Sequence, residues 1–171
     1  MSIYIGGTTG NNEFDDYEEG SWTPVLQAYD HSSAPGGWSN VTFDESLDYT
    51  TGRYTKIGRI VQIWWYSGAF SISSGYNHLS GRFSGLPFNF VNNDPYYGGI
   101  FTFTHSTCFK DTSNNLYDCH GGYGVYGQDY FYPNIGNSTS NARWGSESTR
   151  YIMLAGCYQT GYTVHKPTTR T

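Results

Sequence analysis

Apolar residues along this chain come in short runs, broken at short intervals by Gly, Asn, Asp and Ser. No window longer than two turns keeps a helical spacing without meeting Gly, Pro or a cluster of β-branched and aromatic residues, and Ala and Leu are scarce. The pattern therefore predicts strands. Trp22 to Tyr29 reads as a strand with Pro24 near its start, which suits an edge or a strand entry. A loop follows over residues 30–37, and Val41 and Phe43 alternate with polar neighbours in a second short strand. The clearest hairpin runs from Gly52 to Tyr66, turning over Lys56 to Arg59 around Gly58, and its second arm is predicted to continue to Ile72. Val61, Ile63 and Trp65 fall on one face of that arm, and Gln62, Trp64 and Tyr66 on the other. Both faces are largely apolar, which predicts a central strand covered on both sides.

Further along, Phe83, Leu86, Pro87 and Phe88 form a short apolar stretch, and Ile100, Phe101, Phe103 and Thr104 another strand. Residues 110–119 read as a polar loop, Gly121 to Tyr132 as a Gly- and Tyr-rich strand or loop, and residues 133–149 as a second polar connection. Tyr151 to Tyr158 closes the domain as a buried strand, before a frayed tail over 165–171. Seven to nine strands at this spacing predict an all-β, antiparallel β-sandwich of jelly-roll type over residues 21–171. Residues 1–20, polar and acidic, are predicted to be an extended arm unable to fold alone.

Composition changes this picture in two ways. Aromatic residues make up 19% of the 171 residues and charged residues only 13%, about half the usual charged fraction. Polarity thus rests on Gly, Ser, Thr, Asn and the hydroxyl tips of 17 Tyr. The net charge of -5 is unevenly spread: nine of the 14 acidic residues fall at or before Asp48, and no Lys or Arg precedes Arg53. An acidic segment of this kind either stays solvated or docks on a basic surface of a neighbour. The basic residues are few and scattered, which gives no nucleic-acid footprint. No apolar run is long enough to insert in a membrane as a helix, and Met1 to Ile5 lacks the basic start of a signal peptide. Cys108, Cys119 and Cys157 cannot all pair within one chain, and a bridge between Cys108 and Cys119 is left open; reduced thiols and synthesis in a reducing cytoplasm are expected.

Candidate chemistry is sparse. Gly122, Gly124 and Gly127 have the spacing of a dinucleotide fingerprint, but the following Gln128 to Pro133 is no helix, so no cofactor is expected. His105, Cys108, Cys119 and His120 supply zinc-ligand types, yet adjacent Cys119 and His120 would point to opposite faces of a strand, and no metal is expected. Asp94, Asp111, Asp118, Asp129 and Glu147 are the carboxylates available for glycan cleavage, all in turn-like contexts where Asp usually bonds backbone. The chain is expected not to be an enzyme. Exposed aromatics carry the sharper expectation. Tyr96, Tyr97, Tyr123, Tyr126, Tyr130, Tyr132 and Trp144 lie in Gly- and Asn-rich segments, where rings can stack on sugar faces while neighbouring amides bond the hydroxyls. Replacing Trp144 or Tyr126 with Ala is then predicted to weaken binding and leave the fold intact.

Phe14-Asp15-Asp16-Tyr17-Glu18-Glu19-Gly20-Ser21-Trp22-Thr23-Pro24 resembles the LDDYEEGTWTP segment of phage tail-fibre and related virion proteins. That family continues with a Tyr-Thr-Lys-Ile-Gly hairpin and a Gly-Leu-Pro-Phe segment, and this chain has Gly52 to Arg59 and Gly85 to Phe88 in the same order. The resemblance covers residues 14–88, and residues 95–149 match nothing familiar. It implies a β-sandwich, often a homotrimer, displayed on the tail or capsid surface of a virion and contacting host polysaccharide. In the family the module ends a long fibre, whereas here it starts near Met1. Residues Phe14, Asp15, Asp16, Tyr17, Glu18 and Glu19 are accordingly expected to belong to an arm that attaches to other virion proteins. The expectation is a virion structural protein whose loops over 92–149 bind host glycan. Capsid or tail decoration is the alternative, and a glycan depolymerase the third.

Overall fold

The computed structural model describes residues 3–4, 13–14, 17–30, 36–45, 49–73, 76, 79–92, 99–106, 109–110, 116–117, 119, 121–135, 142–145 and 151–161. No α-helix occurs among them. The strands begin with β1 (Ile3–Tyr4), β2 (Glu13–Phe14), β3 (Tyr17–Trp22), β4 (Val25–Asp30), β5 (Gly37–Asn40) and β6 (Phe43–Glu45). They continue with β7 (Gly52–Ile57), β8 (Ile60–Tyr66), β9 (Ser71–Ile72), β10 (Ser80–Ser84), β11 (Ile100–Ser106) and β12 (Phe109–Lys110). The last are β13 (Leu116–Tyr117), β14 (Gly121–Gly124), β15 (Phe131–Asn134), β16 (Arg143–Trp144) and β17 (Ile152–Gln159). Every pairing among the described strands is antiparallel, and the fold is all-β.

The β7–β8 hairpin organises one layer. Gly58 takes a φ of 57°, a left-handed turn conformation that a side chain disfavours, and the turn sets Ile57 opposite Ile60. From this hairpin the order β3-β7-β8-β17-β11 extends in both directions. The second layer is built around β10, which pairs with β4 along one edge and with β15 and β16 along the other, while β5 continues outward from β4. The β14–β15 hairpin joins the layers, since β14 also touches β11 at Phe101↔Gly122. A single 13-stranded sheet therefore folds back on itself as a sandwich, with β12 and β13 extending it beyond β16.

The core lies between the layers. Phe83 of β10 is its hub: its ring centroid lies 5.0 Å from Phe131, 5.6 Å from Phe103, 5.7 Å from Trp144 and 6.4 Å from Trp65 of the opposing layer. Each such ring, taken fully out of water, stabilises the fold by on the order of 2–3 kcal/mol. Gly124 is required for the same packing, because a Cβ there would overlap the Phe90 ring.

Tyr17–Trp22 of the first motif packs with the other two as one unit. Tyr17–Trp22 pairs along the whole of Gly52–Ile57, with Tyr17 opposite Ile57 and Trp22 opposite Gly52. The Tyr54 hydroxyl donates to Glu18 Oε1, and the Tyr54 ring meets Phe88 edge-on at 5.4 Å. That carboxylate contact holds the Tyr54 phenol up at about 12. Lys56 is buried, with Nζ 5.7 Å from the Phe88 ring centroid. The closing strand locks the unit: the Tyr158 hydroxyl donates to Phe88 O at 3.0 Å.

Several expectations are corrected. Residues 17–20, within the stretch expected to be an extended arm, belong to β3, paired with β7 at the end of the sheet path. Pro24 lies between β3 and β4, where the chain passes from one layer to the other, so Trp22 ends one strand rather than starting the next. Strand β8 stops at Tyr66, before Gly68 at φ 67°, and its Gln62, Trp64 and Tyr66 face is exposed. Strand β17 likewise buries alternate residues only. The connection over 133–149 contains core: Ile135, Ala142 and Trp144 are all buried.

Candidate functional site

The outer face of the second layer gathers rings from strands far apart in sequence. Alternation puts Leu26, Ala28, Gly81, Phe83, Phe131 and Pro133 inward, which leaves Gln27, Tyr29, Arg82 and Tyr132 on the outside. Register brings these together. Tyr29 lies opposite Trp38, Gln27 opposite both Asn40 and Arg82, and Tyr132 opposite Tyr123. The ring centroids follow at 5.3 Å for Tyr29–Trp38, 5.8 Å for Trp38–Tyr132, 5.5 Å for Tyr132–Tyr123 and 5.6 Å for Tyr132–Tyr130.

Arg82 stands at the centre of this face. Its guanidinium carbon is 4.2 Å from the Trp38 centroid and 4.0 Å from the Tyr130 centroid, both within cation–π range. Its Nε–H donates to Gln27 Oε1 at 2.7 Å, and Gln27 Nε2 donates to Asn40 Oδ1 at 3.1 Å. Burial pushes the Tyr132 phenol above its ordinary range, against the opposing pull of the nearby Arg82 charge. Rings and cation are thus fixed by one another and half-buried. Such a surface can stack planar apolar faces and hydrogen-bond hydroxyl or anionic oxygens beside them.

Of the sequence-predicted contact residues, Tyr123, Tyr130 and Tyr132 meet on this face. Tyr126 stands exposed in the turn between β14 and β15 and makes no ring contact among the described residues. Tyr96 and Tyr97 lie outside the described residues. Trp144 does not belong to the surface: it is fully buried, 5.0 Å from Phe109 and 5.7 Å from Phe83, and its Nε1–H donates to Gln27 O at 2.8 Å. A two-residue strand in a polar run gave no periodicity to reveal this. Trp38 and Arg82 were missed, although the Gly81-Arg82-Phe83-Ser84 alternation marks Arg82 as outward.

In the proposed arm, Tyr17, Glu18 and Glu19 are exposed strand residues, with the Tyr17 hydroxyl donating to Glu19 Oε1. Phe14 lies in β2, opposite Ile3 of β1, while Asp15 and Asp16 are outside the described residues. The glycine fingerprint resolves into strand and turn: Gly122 and Gly124 are in β14, and Gly127 turns at φ 72°. Cys119 is a buried thiol that donates to the carbonyls of Gly121 and Asn134 at 3.0 and 3.3 Å, and burial pushes it up to about 12. Cys108, His120, Asp94, Asp111, Asp118 and Glu147 are outside the described residues.

The first layer's outer face differs. Trp64, Tyr66, Met153 and Ile100 are exposed there, and an open groove is lined by Glu19, Arg53, Thr55 and Trp64. Neither a scan against protein-family models nor searches of curated proteins and solved structures finds a match to this chain.

Proposed function

We propose that the chain is a bacteriophage virion structural protein, a tail-fibre-like homotrimeric module that binds host cell-surface glycan through the Trp38–Arg82–Tyr132 face. The observation that carries the reading is the convergence of Tyr123, Tyr130 and Tyr132 with Trp38 and Tyr29 on one sheet surface. Rings held at fixed spacing lose little entropy on binding, and the Gln27–Asn40 pair beside them supplies hydroxyl partners. The motifs of residues 14–88 supply the virion setting. Binding of the labelled protein to a panel of bacterial cells tests it. Tyr130→Ala combined with Tyr132→Ala should lower cell binding at least tenfold with the melting transition preserved. Unchanged binding by that folded variant removes the assignment.

A second reading, decoration of capsid or tail, is favoured by the first layer's outer face. Trp64, Tyr66, Ile100 and Met153 would there pack against another virion protein. Under this reading Trp64→Asp blocks incorporation into particles while cell binding by the free protein persists.

A further inference from the structure

We propose that Arg82 is an anion-binding centre and that the saccharide taken by this face carries a carboxylate. The inference rests on the glycan reading above and narrows it to acidic sugars. Three observations lead to it. First, Arg82 has no carboxylate partner among the described residues; there it meets the Trp38 and Tyr130 rings and the Gln27 side-chain oxygen Oε1. A half-buried guanidinium with no carboxylate beside it among the described residues holds its charge for an incoming group, in a setting less screened than open water.

Second, the guanidinium is oriented. The Nε–H is committed to Gln27 Oε1, while the planar group lies over both the Trp38 and the Tyr130 ring. The remaining N–H donors keep a fixed fork geometry, which matches the two oxygens of a carboxylate. Third, the anion position is flanked by stacking surfaces. Trp38 lies 5.8 Å from Tyr132 and 5.3 Å from Tyr29, so a pyranose ring laid on these aromatics brings its carboxylate within reach of Arg82. A neutral sugar would use the same rings and leave the charge unanswered.

The test compares one polysaccharide with itself. A uronic-acid oligosaccharide and a sialylated oligosaccharide are titrated into the full-length protein by calorimetry, each before and after chemical reduction of its carboxylates to alcohols. At least one acidic form should bind ten-fold or more tightly than its reduced form, and raising the salt should narrow that gap. Arg82→Met, which keeps the aliphatic stem, should abolish the gap, Arg82→Lys should restore only part of it, and Arg53→Met on the opposite face should leave it intact. Equal affinity for acidic and reduced forms overturns the inference while the glycan reading stands. If no saccharide of either kind binds, both fall. The wild-type comparison needs no substitution, so it decides the matter even if Arg82→Met does not fold; loss of the gap in Arg53→Met but not in Arg82→Met also overturns the assignment.

Discussion

On the first layer's outer face, Trp64 stands exposed with no ring partner among the described residues, and Tyr66 leans only on Tyr49 at 5.5 Å. On the second layer's outer face, Trp38 is held by Tyr29, Tyr132 and the Arg82 guanidinium together. Both faces come from the same alternating strand chemistry, and both are aromatic. The difference lies in what fixes the rings. Unsupported rings keep their rotamer freedom, so they suit burial under a second surface that supplies the missing contacts. Interlocked rings have already lost that freedom in the folded chain, which suits a small ligand with few contacts of its own. Aromatic content alone does not separate the two cases; the hydrogen-bonded cation does.

The largest effect that bears on this contrast lies beneath the second face. Trp144 supports β4 from inside through its bond to Gln27 O, the residue whose side chain orients Arg82. Trp144→Ala should therefore destabilise the protein by about 3–5 kcal/mol in urea unfolding. Loss of binding in that variant would reflect loss of fold. Trp38→Ala should cost less, about 2 kcal/mol, from the ring pairs and the cation–π contact. Trp64→Ala, removing a side chain of a residue 45% exposed, should cost less than about 1 kcal/mol. Equal losses at Trp38 and Trp64 would erase the contrast between the faces.

The smallest predicted effect is chemical. Cys157 is exposed on the first face, whereas Cys119 is buried and held protonated. At mildly alkaline pH a thiol reagent should modify Cys157 within the mixing period and Cys119 only on unfolding, as read by peptide mapping. The folded-state value of Cys119 lies above the usual 9.0. Its contribution to stability is thus full below about pH 9 and falls as pH rises toward 12. Rapid labelling of Cys119 in the native state would contradict its place in the core.

Much of the fold was legible because the chemistry was local. Gly58 between alternating arms marked the β7–β8 hairpin, and the Tyr151–Tyr158 run marked the closing strand, within a residue of β17. The faces were harder. Trp64 and Tyr66 read as buried because apolar residues occupied both sides of β8, yet no described element covers that side. Trp144 read as exposed because Asn and Ser surround it, although its strand pairs at Phe109 and Ser80 carry it into the core. The Arg82 cluster was only half visible. Tyr123, Tyr130 and Tyr132 are close in sequence, but Trp38 and Arg82 join them only through the registers of β4 with β5 and β10. Long-range register is not written in any local window.

The most direct test of the account follows the side chains themselves. Nitrogen-resolved spectra of the protein, titrated with an acidic oligosaccharide, report the Trp38 indole, the Arg82 Nε–H and the Trp64 indole separately. The account predicts shifts at Trp38 and Arg82 that saturate together while Trp64 stays fixed. Movement of Trp64 with Trp38 and Arg82 unchanged would place the contact on the opposite face and contradict it.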